Sequence, residues 1–232
     1  MKFPSPIQKG VLVQRYKRFL ADINLDDDII TAHCANPGSM MGLKEPGSTV
    51  WVSKALNPNR KLGYDFQVIE VDGVPVCINT ALPNKIVEEA ITAQKIPELR
   101  GYAEMRREVK YGVNSRIDVL LEDEALPPCY VEIKNVTLSR SQGLAEFPDS
   151  KTARGLKHLH ELEAMTASGA RAVMLYLVNR SDCANFALAR DIDPNYSEAF
   201  DKARKAGVEI LAYDCQISKT GITLGRPLKV VA

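Results

Sequence analysis

The chain has 232 residues, a length that fits one large domain or two small ones and can bury a sizeable core. Its hydrophobic fraction of 45% and charged fraction of 25% are ordinary for a soluble globular protein, and no apolar run approaches a membrane helix or a secretion signal. The net charge of +1 excludes nucleic-acid binding through a bulk basic surplus, so any such contact must come from local basic clusters and be salt-sensitive.

The cysteines are few and far apart, with no C-x-x-C pair among them. This spacing suits neither a zinc site nor a small disulfide framework, so we expect reduced thiols and a cytoplasmic location. His33 and Cys34 are adjacent on a predicted strand and face opposite ways, which argues against a metal there. The five cysteines are Cys34, Cys77, Cys129, Cys183 and Cys215.

The first 80 residues are predicted to form a series of short strands with hardly any helix, which indicates a small barrel. Residues 9–13 and 16–23 alternate apolar and polar side chains, as half-buried strands do. Asp72-Gly73 is a strong hairpin signal. Further strands are predicted at residues 29–33, 49–52, 66–71 and 74–78.

From residue 84 onward, predicted helices alternate with strands, which indicates an α/β (α+β) domain. Asn84 is predicted to cap a helix that begins at Lys85. We place the boundary near residue 80, giving domains 1–80 and 81–232. Strands are predicted at residues 115–121, 130–136, 171–178 and 208–213, and further helices from about 150 to 168 and from 197 to 206, each ended by a glycine.

The strand over residues 130–136 carries an unusual pair of charges. Glu132 and Lys134 are two residues apart and share one face of an otherwise apolar strand. Asp118 lies inside the preceding apolar strand. If the two strands pair as a hairpin, Asp118 and Glu132 can converge on one Mg²⁺ or Mn²⁺ ion, while Lys134 positions the attacking water or neutralises developing charge.

The helix after residue 84 supplies a third acid. On a helical wheel Glu89 lies at the edge of the apolar face, whereas Glu88 points toward solvent, so Glu89 is the candidate outer ligand. The alternative interpretation is a structural ion-pair cluster on a half-exposed sheet.

The order of helix acid, strand Asp and strand Glu-Ile-Lys resembles the catalytic core of the PD-(D/E)XK nuclease superfamily. Along nearly its whole length the chain also resembles the sugar fermentation stimulation protein (SfsA) family. Ile117 stands where the nuclease pattern has a proline. The matching segments are residues 33–40, 79–80, 83–84, 116–118, 131–137, 147–149, 152–159, 193–196 and 207–209.

The resemblance implies an N-terminal OB-fold barrel followed by a nuclease-like mixed-sheet domain with flanking helices. It also implies DNA binding and a regulatory link to sugar (maltose) metabolism.

Basic and aromatic side chains near these motifs are candidate nucleic-acid contacts. The N-terminus of the second helix and its basic groups could meet a phosphate, with ordinary helix-surface charge as the alternative. Around the barrel, basic residues flank aromatic ones, as in barrels that bind single strands, although Phe19 is expected in the core. His160 is expected to be buried. The candidates are Arg154, Lys157, His158, Arg107, Arg116, Arg140, Arg18 and Tyr16.

Two functions follow from these residues. The first is a Mg²⁺- or Mn²⁺-dependent phosphodiesterase acting on DNA in a mainly sequence-independent, salt-sensitive way, with no membrane partner. The second is a non-catalytic DNA-binding regulator of sugar (maltose) metabolism genes. A carbohydrate-binding function is disfavoured because Trp51 is the only tryptophan. The sequence leaves the oligomeric state open.

Overall fold

A computed structural model of the chain describes residues 1–112 and 115–231. The N-terminal third of the chain forms a barrel of short strands, in which buried and half-buried residues alternate along β2. Its five main strands close because β3 pairs with β5, joining His33 to Asp65, while β6 extends the edge of β5. The strands are β1 Ile7–Tyr16, β2 Leu20–Leu25, β3 Asp28–Cys34, β4 Thr49–Lys54, β5 Tyr64–Val71 and β6 Val74–Cys77.

A tight turn separates β1 from β2, so the prediction of one continuous strand over residues 16–23 was wrong. Lys17 and Arg18 adopt positive φ angles of 46° and 63°, which reverse the chain within three residues. Phe19 then projects outward and is 47% exposed. The expectation that Phe19 belongs to the core was therefore also wrong.

The rest of the chain alternates strands and helices, as predicted. Strand β12 has the predicted bounds, whereas β7, β15 and four short strands of a second small sheet were not predicted. The elements are α1 Pro83–Thr92, a 3₁₀ turn Pro97–Leu99, β7 Glu104–Tyr111, β8 Ser115–Glu122, β9 Cys129–Val136, β10 Leu138–Ser141, β11 Leu144–Phe147, α2 Ala153–Ala167, β12 Arg171–Val178, β13 Asn185–Leu188, α3 Pro194–Lys205, β14 Glu209–Ser218, β15 Gly221–Pro227 and β16 Lys229–Val230.

Six of these strands form a mixed sheet in the order β15-β14-β12-β9-β8-β7. Its centre is parallel, because β12 runs parallel to both β9 and β14, and its two edges are antiparallel hairpins. The small sheet has the order β10-β11-β13-β16. Helices α2 and α3 pack against one apolar side of the mixed sheet, and α1 packs against the other.

Helix α1 departs from its prediction at both its cap and its buried face. Asn84 does not cap it, because the helix begins at Pro83 and Leu82 holds the N-cap position without a side-chain hydrogen bond. Glu88 is buried, at 8% exposed, whereas the side chain of Glu89 is 49% exposed. The wheel assignment was wrong because α1 packs against both β9 and β15, which makes the buried face wider than one apolar stripe.

The barrel and the mixed sheet share a hydrophobic core. Trp51 and Val68 of the barrel belong to the same buried cluster as Val119 and Val131 of the sheet, and the backbone N–H of Cys77 donates to the Asn179 carbonyl. The predicted fold class, an OB barrel followed by a mixed-sheet domain with flanking helices, is confirmed, while the division at residue 80 stays a prediction. Within the described residues, no helix has both the length and the apolar character needed to cross a membrane.

Candidate functional site

The candidate site lies where strands β8 and β9 separate. Their backbone pairing runs from Leu121 to Val119 and stops there, so Asp118 is the first β8 residue beyond it. One carboxylate oxygen of Asp118, Oδ2, accepts the backbone N–H of Ile133 at 2.7 Å, and Oδ1 accepts the side-chain amide of Asn84 at 2.8 Å. The Asp118 carboxylate therefore fills the fork between the strands and is joined there to the start of α1.

The surroundings of Asp118 favour its protonated form. Burial raises its pKa most, and the nearby negative charge of Glu132 raises it further. The hydrogen bonds from Ile133 and Asn84 and the charge of Lys134 offset part of this effect, leaving the pKa of Asp118 at about 6. The two acids are thus close enough to repel each other, and nearby cations do not fully compensate.

Glu132 lies on β9, is only 2% exposed and has an uneven set of partners. Its Oε1 accepts the Lys134 ammonium at 2.7 Å and also contacts Nδ1 of His158. Its Oε2 is buried and has no hydrogen-bond partner. Burial raises the pKa of Glu132, but the hydrogen bond with His158 and the charge and hydrogen bond of Lys134 act against burial, and the pKa of Glu132 lies below its usual range.

His158 is anchored by a contact at each ring nitrogen. Nδ1 faces Glu132, and Nε2 accepts from the Arg154 guanidinium Nε at 3.4 Å. A neutral imidazole satisfies both contacts when the proton sits on Nδ1, because Nε2 then carries the lone pair. In that tautomer the Lys134 ammonium, 3.2 Å from Nδ1, is a close neighbour of the ring and its hydrogen bond goes to Glu132.

Buried polar atoms without hydrogen-bond partners concentrate around this site. They include the Tyr111 hydroxyl, Glu132 Oε2 and both carboxylate oxygens of Glu161. Burial raises the pKa of Tyr111 well above its usual range, and the charges of Glu132, Glu161 and Asp118 raise it further. Sequence reasoning missed Tyr111 and Glu161, although the three-residue spacing from His158 to Glu161 on α2 was a usable signal.

The helix acid predicted as an outer ligand is not brought to this fork. The Glu89 carboxylate instead pairs with the α-amino group of Met1 at 2.6 Å and lines a groove with β15. The buried Glu88 pairs with Arg107 at 2.7 Å. Among the described residues, no group of three or more His, Cys, Asp and Glu side chains is arranged to hold a metal ion. Asp118 and Glu132 therefore remain as a pair of carboxylates.

Three predicted nucleic-acid contacts line one cleft of about 750 Å³ together with His158. Its basic residues come from the β7–β8 hairpin and from the first turns of α2. Helix α2 begins after Thr152, whose Oγ1 accepts the Gly155 N–H. The lining residues are Glu108, Lys110, Tyr111, Gly112, Ser115, Arg116, Arg154, Lys157 and His158.

The other four predicted contacts lie elsewhere, and the side chains of three of them are paired within the protein. Arg140 binds both Glu146 and Asp191 through its guanidinium group. Tyr16 donates its hydroxyl to Asp22 at 3.1 Å. Arg107 pairs with Glu88, as described above, and Arg18 lies in the β1–β2 turn. None of these four lines the cleft beside His158.

Of the two histidines of α2, His158 is buried and His160 is exposed, whereas the helical wheel predicted a buried His160. The side chain of His160 is 56% exposed and faces Glu163, whereas His158 is buried. The expectation of a buried His160 was wrong because α2 turns His158 and Glu161, not His160, toward the mixed sheet.

A second cleft, of about 390 Å³, lies between the barrel and the mixed-sheet domain. Asn36 and Gly38 line it from the barrel side, and Thr152 and Arg154 from α2. Ser39 ties the two sides together by donating its hydroxyl to the Asp149 carboxylate at 2.9 Å. Because Arg154 lines both clefts, they adjoin at this residue.

The fold and the site define a class of protein in which an OB-type barrel is followed by a mixed sheet that carries a pair of acids at a fork between two strands. Comparison with known proteins identifies the family within this class. The family model "SfsA N-terminal OB domain" matches residues 13–78, and "Sugar fermentation stimulation protein RE domain" matches residues 81–221. The chain belongs to the sugar fermentation stimulation protein family, as its sequence motifs predicted.

Relatives match the chain over its full length. A sugar fermentation stimulation protein homolog of Rhodospirillum centenum is 54% identical over 233 residues, covering 100% of both chains. The homolog of a Ruegeria species is 54% identical, covering 97% of this chain and 98% of its own. The solved structure of Pyrococcus furiosus SfsA in complex with Ca²⁺ has a TM-score of 0.90 at 27% identity, covering 100% of this chain and 98% of that one.

Proposed function

We propose that the chain is a Mg²⁺- or Mn²⁺-dependent phosphodiesterase of the PD-(D/E)XK type that acts on DNA in the cytoplasm. The observation that carries the proposal is the pair of acids at the β8–β9 fork, where Asp118 has a raised pKa and Glu132 has a buried oxygen without a partner. Perturbed acids beside a basic cleft are typical of functional sites. The five cysteines are all free and buried, which supports a reducing compartment.

A divalent cation fits this pair of acids. Asp118 and Glu132 would hold it, because two oxygen ligands of like charge are already close together and Glu132 Oε2 has no other partner. When bound, the ion would polarise a phosphoryl oxygen and offset negative charge in the transition state. The Ca²⁺ complex of the Pyrococcus furiosus relative supports a divalent cation in this family.

The surrounding cations have separate roles in the proposal. Lys134, whose side chain is only 13% exposed, places its ammonium group beside the acids, where it can stabilise the developing charge on a phosphate. His158 fixes Glu132, and Arg154 fixes His158 in turn. Arg116 lines the adjoining cleft, where it can bind the phosphate backbone without reading sequence.

Calorimetric titration with Mn²⁺ tests the metal site without relying on turnover. We expect the wild-type chain to bind Mn²⁺, and both Asp118→Asn and Glu132→Gln to lose most of that binding. Glu163→Gln, on the exposed side of α2, is the matched control and should bind as the wild type does. Equal binding by all four proteins would place the metal elsewhere and refute the assignment of these two ligands.

The second candidate, a DNA-binding regulator of sugar (maltose) metabolism genes without turnover, is favoured by one observation. Lys134 and His158 both contact the same oxygen of Glu132, so one of the two acids already has two cationic or hydrogen-bonding partners. This candidate predicts salt-dependent DNA binding that survives Glu132→Gln, with no cleavage in Mg²⁺ or Mn²⁺. Cleavage of a broad panel of DNA substrates that Asp118→Asn abolishes would exclude it.

A further inference from the structure

Two aromatic rings lie exposed at one end of the barrel, outside its core. The rings of Phe19 and His33 are stacked, with an interplanar angle of 14° and centroids 6.5 Å apart. Phe19 is 47% exposed, and the side chain of His33 is 36% exposed. A flat aromatic surface in water can stack on a nucleic-acid base, and such stacking tolerates any base.

The neighbouring charges suit a nucleic-acid strand. Lys17 and Arg18 are exposed in the turn that presents Phe19. On the other side, Asp65 receives two hydrogen bonds from Arg60, at 2.8 and 2.9 Å, and lies 3.4 Å from His33 Nδ1. Arg60 comes from the segment between β4 and β5. The β1–β2 and β4–β5 connections of an OB barrel are those that flank its oligonucleotide-binding face.

A chain of contacts joins this aromatic pair to the acid site. The Arg15 guanidinium Nη2 donates to the carbonyls of Arg18, Asn36 and Gly38, at 2.9, 2.8 and 3.2 Å. Asn36 and Gly38 line the cleft between barrel and sheet, and Arg154 lines both that cleft and the basic one beside His158. Arg15 therefore links the end of the barrel that carries Phe19 to the cleft between barrel and sheet, and Arg154 links that cleft to His158, which contacts Glu132.

We propose that Phe19 and His33 form a stacking platform for a base of a single-stranded nucleic acid that extends from the acid site across Arg154 to the barrel. The inference rests on the proposed function for its nucleic-acid partner and narrows the substrate to a single strand or a single-stranded end. Bases inside a duplex are already stacked on one another and cannot lie on an external ring.

Binding in EDTA tests the platform without any contribution from turnover. Fluorescence anisotropy of labelled oligothymidylates of graded length, and of one duplex, would be compared for the wild type, Phe19→Ala, Phe19→Trp and Ile29→Ala. Ile29 is the matched control, because it is 63% exposed on the same strand as His33 but at its opposite end. Equal thermal midpoints would establish that all four proteins are folded.

Phe19→Ala should weaken binding of the longer single strands on the order of tenfold, and Phe19→Trp should retain it. Ile29→Ala should bind like the wild type, and no variant should change duplex affinity. Unchanged single-strand affinity in Phe19→Ala, or an equal loss for the duplex, would overturn the platform. That failure is separate from a failure of the proposed function, which would appear as missing Mn²⁺ binding and cleavage while Phe19 still governs single-strand affinity.

Discussion

Two clusters in this protein place a buried glutamate beside cations, and they differ in how completely the acid oxygens are hydrogen-bonded and in the pKa values of the acids. In the first, Glu146 and Asp191 both bind Arg140, whose guanidinium donates two hydrogen bonds to each. Arg140 lowers the pKa of both acids, that of Asp191 to about 2. This network is a structural ion-pair cluster in which each carboxylate is matched by the same arginine.

In the second cluster, at the β8–β9 fork, the acid oxygens are not all hydrogen-bonded. The pKa of Asp118 is raised to about 6, and Glu132 keeps a buried oxygen with no partner although Lys134 and His158 lie beside it. An acid pair that served only stability could be hydrogen-bonded by one arginine on both carboxylates, as Glu146 and Asp191 are by Arg140. The contrast teaches that a raised pKa and a buried oxygen without a hydrogen-bond partner, and not the mere presence of paired charges, separate a candidate site from a stabilising network.

The largest expected effect is a loss of DNA cleavage when the lysine of the β8–β9 fork is replaced. Lys134→Met should reduce metal-dependent DNA cleavage by on the order of 100- to 1000-fold, because it removes a preorganised positive charge beside the reacting phosphate. Initial rates of cleavage in Mn²⁺ would measure it. Lys205→Met, an equal loss of charge at the exposed end of α3, should leave the rate unchanged. Equal rates for the wild type and Lys134→Met would remove Lys134 from the proposed chemistry.

The next largest effect is a difference in stability between variants that remove one acid from each cluster. Glu146→Gln should lower the free energy of unfolding by about 1 to 2 kcal/mol, because charge-assisted hydrogen bonds to Arg140 are lost. Asp118→Asn should leave stability at neutral pH unchanged or higher, since it removes a repelled charge. Urea unfolding of the metal-free proteins would show this. A larger loss in Asp118→Asn than in Glu146→Gln would mean that the fork is the structural cluster.

The two clusters should also respond to pH with opposite signs. The pKa of Asp118 is raised from 3.8 to about 6, so its proton stabilises the fold fully below pH 3.8, and that stabilisation is lost as the pH rises through about 6. The pKa of Glu146 is lowered, so its contribution is present above its ordinary value of 4.5 and is lost as the pH falls.

Urea unfolding of the metal-free protein from pH 4 to 7 would measure both responses. The unfolding free energy of the wild type minus that of Asp118→Asn should fall by roughly 2 to 3 kcal/mol as the pH rises from 4 to 7. The corresponding difference for Glu146→Gln should fall toward the acid end instead. Parallel curves for the wild type and Asp118→Asn would contradict the raised pKa.

The smallest effect concerns the arginines of the two regions. Arg116→Gln should lower the slope of log affinity against log salt concentration for DNA by about 1, because one phosphate contact is lost from the basic cleft. Arg140→Gln should leave that slope unchanged, since the guanidinium of Arg140 is already held by two carboxylates. Anisotropy titrations at several salt concentrations, below the unfolding temperature of each variant, would measure the slopes. A change in slope for Arg140→Gln alone would reverse the assignment.

Much of the site's backbone could be predicted from local patterns. Strands β8, β9 and β12 were expected within one residue of their bounds, because apolar alternation and buried runs are short-range signals. The facing of α1 could not be predicted in the same way. A helix packed on two sides buries more than one stripe, so a wheel drawn from the sequence assigned Glu88 and Glu89 to the wrong environments.

The sequence by itself determined that acids lie inside apolar strands, and that a lysine shares the face of Glu132, because side-chain direction along a strand follows from its two-residue period. Only the tertiary structure decided which partners those charges meet. Asp118 contacts Asn84 across 34 residues of chain, and Glu132 contacts His158 across 26. A buried charge takes its pKa from whatever packing places within a few ångströms, and that placement is set by the whole fold, not by neighbours in the chain.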